Sequence, residues 1–135
     1  MSRVFIDTSA AYALLVASDS NHERAAGTFR DLKERTRPLV TTSYVLVEAY
    51  ALLGRRVGLT AVKAFHSDFE PLLSVLWVDK ELHERGVDLL VARNVADLSL
   101  VDAVSFLTLR DGDIEEVFAY DQHFADEGFR LVSPG

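Results

Sequence analysis

Short apolar runs rich in strand-forming residues alternate along the chain with longer segments whose apolar positions recur every three or four residues. Val4-Phe5-Ile6 is the first strand and runs into Asp7. Ala10 to Val16 predicts a short helix broken near Ser18-Asp19-Ser20, and Ser20 or Asn21 caps a second helix that carries Ala25, Ala26, Phe29 and Leu32 to about Arg35. Pro38 ends it, and Leu39-Val40-Thr41-Thr42 predicts a second strand. Ser43 opens an apolar helix, Tyr44 to Leu53, stopped by Gly54 or Gly58. Leu59 to Phe69 reads as another helix before Pro71, and Leu72 to Val78 as a third strand. Helices over Lys80 to Arg93 and from Ser99 to about Leu109 flank a connection at Asn94 to Leu98. After the turn Asp111-Gly112-Asp113, a fourth strand, Glu116 to Tyr120, leads into Asp121, and Phe129 to Val132 predicts an edge strand.

Short apolar strands separated by helices predict an α/β fold, a parallel sheet covered on both faces. In such sheets functional groups gather beyond the carboxyl ends of the strands, where strand order reverses. The length of 135 residues suits one domain, residues 1–135. The absence of cysteine excludes a disulfide framework and a thiolate zinc site. No apolar stretch approaches the roughly 20 residues of a membrane helix, and no signal peptide is evident, so the expected location is the cytoplasm.

A net charge of −7 argues against general attraction to nucleic acid. The distribution qualifies this, because 11 of the 14 basic residues are arginine, the type that forks onto phosphate. Arg30, Lys33, Arg35 and Arg37 form one group and Arg55-Arg56 another. Each is a local patch for RNA or a solvated helix face and C-terminus.

Four acids occupy unusual settings. Asp7 and Asp121 each follow a strand, where an aspartate caps a helix or serves a metal or phosphate site. Glu48 is the one charged residue between Tyr44 and Leu53, on a helix apolar nearly all round and therefore expected to be buried on more than one side. A carboxylate there must be paired, hydrogen-bonded or ligating a cation. Asp102 stands in Ser99-Leu100-Val101-Asp102, a capping-box pattern. His123, a lone histidine beside an aromatic, reads as packed or exposed rather than catalytic. The fold reading lets all four acids face one crevice. Such a cluster repels itself without raised pKa values or a cation. Its oxygen ligands suit Mg²⁺ or Mn²⁺, and such ions activate water for attack on phosphorus.

Val4-Phe5-Ile6-Asp7-Thr8-Ser9, the lone Glu48 in Ser43-Tyr44-Val45-Leu46-Val47-Glu48, Leu98-Ser99-Leu100-Val101-Asp102-Ala103 and Ala119-Tyr120-Asp121-Gln122-His123-Phe124 together resemble the ordered motifs of PIN-domain ribonucleases. The chain is similar in compactness to the VapC-type toxins of toxin–antitoxin pairs. The resemblance implies a three-layer α/β/α sandwich with a central parallel sheet of about five strands in order 3-2-1-4-5, and Mg²⁺- or Mn²⁺-dependent cleavage of RNA. It implies an acidic quartet of Asp7, Glu48, Asp102 and Asp121 supported by Ser9, a homodimer, and a cognate antitoxin whose C-terminal segment enters the active site. Two other readings stay open. An aspartyl-phosphate phosphatase or receiver-like domain also places an Asp after its first strand, although the phosphatase pattern needs a second Asp where Ser9 stands. A catalytically silent PIN domain that binds RNA or protein is the other.

Overall fold

The computed structural model describes residues 2–133. Five strands, β1 (Val4–Ile6), β2 (Leu39–Thr42), β3 (Ser74–Leu76), β4 (Glu116–Phe118) and β5 (Arg130–Leu131), form one sheet in the order β3-β2-β1-β4-β5. Every pairing is parallel, with Val4 opposite both Leu39 and Glu116, and Phe5 opposite Val40 and Val117. Strand order reverses between β1 and β4, so the expected crevice lies above their carboxyl ends.

Seven helices flank the sheet among the described residues: α1 (Thr8–Leu15), α2 (His22–Glu34), α3 (Ser43–Arg56), α4 (Leu59–Ala64), α5 (Lys80–Arg93), α6 (Leu100–Asp111) and α7 (Gln122–Asp126). The period-2 alternation of β1 separates two cores. Val4 and Ile6 face Ala10, Ala13, Leu32, Leu53, Phe65 and Phe69 on one side. Phe5 faces Phe106, Leu109, Val117 and Phe124 on the other. This is the three-layer sandwich. At the amino ends of the strands, Arg37 Nη2 donates to Glu116 Oε1 at 2.6 Å and Arg37 Nε donates to the Ser2 carbonyl, which ties the β1, β2 and β4 entrances together. Arg37 is thereby spent on the fold, and Arg35 pairs with Asp31 at 3.2 Å. No helix among the described residues is long and apolar enough to cross a membrane.

Several expected boundaries shift for local reasons. α1 begins at Thr8 rather than Ala10 because Asp7 caps it. The third strand shrinks from Leu72–Val78 to Ser74–Leu76, and the last strand to Arg130–Leu131. The helix expected over Leu59 to Phe69 becomes α4, a π turn at Phe65–Phe69 and a 3-10 turn at Glu70–Leu72. Pro71 forbids a continuing helix, and the wider turn puts both Phe65 and Phe69 in the core. α3 passes Gly54 and ends at Arg56, two residues before Gly58, whose φ of 122° a side chain rarely tolerates. The same helix is buried on more than one side, with Val45 in the core around Phe5 and Leu46, Ala49 and Leu53 in the core around Val4 and Ile6, but not all round as its composition suggests. Val47 is 66% exposed and Ala51 is also exposed, because α1, α4 and α6 cover only part of its circumference.

Gly86 marks the close packing of α5 on α6: a Cβ there would lie 2.6 Å from Val104 Cγ2, a stiff β-branched side chain. Gly86→Ala is expected to cost about 1–3 kcal/mol in urea unfolding. Gly54→Ala, whose added methyl meets Val62 Cγ2 at an ordinary 3.6 Å, should instead stabilise by about 0.5–1 kcal/mol. A stabilising Gly86→Ala would refute the close helix contact.

Candidate metal centre and active site

Asp7 leaves β1 in an extended conformation and caps α1, its Oδ2 accepting from Ser9 N at 3.2 Å and from Ser9 Oγ at 2.7 Å. The Ser9 hydroxyl also accepts from Tyr120 N at 2.9 Å. One side chain therefore joins the end of β1 to the end of β4 at the order reversal, while Asp7 N donates to the Phe118 carbonyl at 3.1 Å. Asp121 follows β4 and caps α7, its Oδ1 accepting from His123 N at 3.0 Å. Asp102 completes the capping box of α6: its Oδ2 accepts from Ser99 N at 3.1 Å, and Ser99 Oγ accepts from Asp102 N at 3.0 Å. Capping and site formation thus coincide in three of the acids. Each uses one carboxylate oxygen locally, and the other oxygen has no hydrogen-bond partner among the described residues.

The electrostatics bind the four acids into one group. Asp7, 4% exposed, has its pKa pushed from 3.8 up to about 7, chiefly by burial. The two Ser9 hydrogen bonds oppose that rise, and the charges of Asp102 and Glu48 add to it. Glu48 is half-buried on α3 and is also raised by burial, with Asp102 and Asp121 contributing. Asp102 is raised by burial and by Asp121, against the Ser99 backbone hydrogen bond. Each raised acid thus has at least one other of the quartet among its causes, so the four acids feel one another's charge.

His123 enters the same group. One ligand atom each from Asp102, Asp121 and His123 lie within 4.8 Å of one another. Spacing arguments pass over this residue because it has no partner histidine; its relevant signal is the Asp-x-His step at a helix start, which turns the ring back toward the capping carboxylate. Thr8 is a second residue without a sequence signal. Its Oγ1 is buried without a satisfactory hydrogen-bond partner, although it is close enough to Glu48 to lower that acid's pKa.

These features fit a hard divalent cation. The donors are carboxylate oxygens with one imidazole and no thiolate, three of the acids are raised by crowding and burial, and a buried hydroxyl remains unpaired beside them. A separate groove of about 700 Å³ runs between α1, α2 and the π turn, lined by Leu14, Leu15, Phe29, Phe69 and Leu72 together with Arg30, Lys33, Glu34 and Asp68.

A family model described as the PIN domain matches residues 4–129. The 23S rRNA-specific endonuclease VapC20 of Mycobacterium tuberculosis is 36% identical over 133 residues, covering 97% of this chain and 98% of that protein. The crystal structure of M. tuberculosis VapC20, described as a sarcin-ricin loop cleaving toxin, superposes with a TM-score of 0.85 at 32% identity over 97% of this chain and 99% of that one. DNA-bound VapBC from Salmonella typhimurium shares the fold at a TM-score of 0.68 and 15% identity, over 98% of each chain.

The raised Asp7 makes stability depend on pH in a defined direction. The folded protein holds a proton at Asp7 that the unfolded chain releases near pH 3.8, so metal-free protein loses stability as pH rises from there through about 7. Asp7→Asn is therefore expected to stabilise chelator-treated protein by about 1–3 kcal/mol at about pH 8 and by much less at about pH 4.5, read from melting curves. Adding Mn²⁺ at the higher pH should stabilise the wild type and not the variant. Equal stability of the two proteins across the range would refute the buried, crowded carboxylate.

Proposed function

The chain belongs to the PIN-domain family, and on that premise we infer that it is an RNA-cleaving toxin of a toxin–antitoxin pair. The observation that carries the reading is the acid crevice at the strand-order reversal. Asp7, Asp102 and Asp121 stand there with free carboxylate oxygens, and Glu48 and His123 adjoin them. The VapC20 endonuclease, similar over nearly the whole chain, supports RNA as the substrate and 23S rRNA at the sarcin–ricin loop as the particular target. The aspartyl-phosphate alternative is not favoured, since Ser9 stands where a second Asp is needed and serves to hold Asp7 and Tyr120. The silent-domain alternative is not favoured either, because all four acids are present and gathered.

Asp7, Asp102 and Asp121 would hold Mg²⁺ or Mn²⁺, with His123 beside the latter two. Such a cation, when bound, would neutralise the carboxylates and stabilise charge on the attacking and leaving oxygens of the phosphodiester. Ser9 keeps Asp7 in one rotamer by donating to it and by being held itself through the Tyr120 N–H. Glu48, partly open to solvent and raised in pKa, would orient the attacking water and take its proton. Thr8 Oγ1 offers a further hydroxyl at the same wall. The whole of residues 1–135 acts as one domain in this reading, in the cytoplasm.

The partners follow the same way. Solved relatives include a VapBC complex and a toxin–antitoxin complex from Klebsiella pneumoniae, which supports a cognate antitoxin here. Exposed Val47, Trp77 and Val91 supply apolar surface that a second copy, in a homodimer, would cover.

With Mg²⁺ or Mn²⁺ the protein should cut 23S rRNA, and chelator or Asp7→Asn should abolish cutting. Glu48→Gln should lower kcat about 10²–10⁴-fold. Cleavage that survives both chelation and Asp7→Asn contradicts the mechanism. Expression of the wild type should arrest growth and Asp102→Asn should relieve it; equal arrest by both would count against the toxin role.

A further inference from the structure

Carboxylates that gather a cation also repel the polyanion they are to cut. A chain of net charge −7 therefore needs cations set outside the acid cluster to hold RNA. The basic residues of this protein divide into two populations. Arg35, Arg37, Arg85, Arg93, Arg110 and Arg130 each stand within ion-pair distance of a carboxylate. On α2, α3 and α4, by contrast, Arg24, Arg30, Lys33, Arg55, Arg56 and Lys63 have no ion-pair partner among the described residues.

Two of the unpaired cations rest on tyrosines that neighbour residues of the acid group, and both are held the same way. The Arg24 guanidinium lies over the Tyr120 ring, 5.3 Å from its centroid, and Arg24 Nη1 donates to Asn21 Oδ1 at 3.1 Å. The Arg56 guanidinium lies over the Tyr12 ring at 5.6 Å. Tyr120 precedes Asp121 and donates its N–H to Ser9, so the Arg24 stack adjoins the stretch that delivers Asp121. Tyr12 lies one turn beyond Thr8 on α1, and Arg56 reaches its ring from the last turn of α3, the helix that carries Glu48. Both arginines are exposed. A guanidinium stacked on an aromatic face keeps its N–H edge free for phosphate and has already lost part of its rotamer freedom.

We propose that Arg24 and Arg56 are the RNA-binding cations of this protein, gripping backbone phosphates on either side of the scissile one. The proposal rests on the nuclease reading above and adds the residues that overcome the chain's unfavourable charge. The acids alone would leave affinity to the metal. The two stacks instead give the strand a direction across β1, from the β4 side to the α3 side.

The test compares Arg24→Ala, Arg56→Ala and the double variant with Arg85→Ala, which removes an equal charge from a residue already committed to Asp111 by hydrogen bonds of 2.7 and 3.1 Å. Kinetics on a sarcin–ricin RNA hairpin with Mn²⁺ give KM and kcat. Anisotropy of the labelled hairpin bound to Asp7→Asn protein, over a salt series, reads binding apart from cleavage. Each single replacement is expected to raise KM about tenfold through binding rather than kcat, and to flatten the slope of log K against log salt by about 0.7–0.9. The double variant should lose about twice the slope, and Arg24→Lys should recover part of the affinity. Arg85→Ala should match wild type in both readouts. Unchanged KM and slope in the double variant, or an equal loss in Arg85→Ala, overturns the proposal. A wild type that never cuts the hairpin overturns the nuclease reading instead, and the salt series then still decides for or against the arginines.

Discussion

The Ser9 hydroxyl donates to Asp7 Oδ2 and accepts from Tyr120 N, and so spans the two strands between which the order of the sheet reverses. A parallel sheet leaves a crevice at such a point because the connections from the two central strands depart in opposite directions. In this chain one serine side chain bridges the two strand ends, and Asp7 and Asp121 follow them. The short strands are part of the same arrangement. β1 and β4 have three residues each; Asp7 follows β1 directly, Asp121 follows β4 after Ala119 and Tyr120, and each caps the next helix.

What this geometry costs is electrostatic. Burial and mutual repulsion oppose ionisation of Asp7, Glu48 and Asp102, while the Ser9 hydroxyl and N–H, the Thr8 hydroxyl and the Ser99 N–H supply the local compensation. That compensation is partial by construction, since each cap occupies one oxygen and leaves the other facing its neighbours. A bound divalent cation would remove the remaining conflict, so affinity for metal and instability without it would have the same origin. The distribution of basic residues is consistent with this division of labour. Arginines of α5, α6 and β5 close ion pairs that hold the far layer, for example Arg93 and Arg110 on Glu127. Those of α2 and α3 stay unpaired or rest on tyrosines that neighbour residues of the acid group.

Much of this is legible in the residues alone. Period-2 and period-3.6 patterns give the order of elements, and the parallel α/β class follows from their alternation. The sheet order itself came from the likeness of four motifs to a known family. Asp7, Asp102 and Asp121 each carry a capping signature, which is why any one of them reads equally well as structural. Their joint placement is what distinguishes the cases, and it depends on topology. Other features are beyond local pattern. His123 reaches Asp102 across more than twenty residues of chain. Thr8 is identified only by a hydroxyl left unpaired, and the tyrosine under each arginine lies on a different element. The π turn at Phe65–Phe69 likewise arises from two core positions and Pro71 acting together. The apolar composition of α3 misleads about burial for a simple reason: it reports what a helix is able to bury, and neighbours decide what is covered.

The central claim is that four acids on four elements constitute one cation site. Anomalous diffraction from crystals soaked in Mn²⁺ tests it most directly. The account predicts a manganese peak in the crevice, bounded by the carboxylates of Asp7, Asp102 and Asp121. Manganese bound elsewhere on the protein, with the crevice empty under conditions in which RNA is cut, would contradict it.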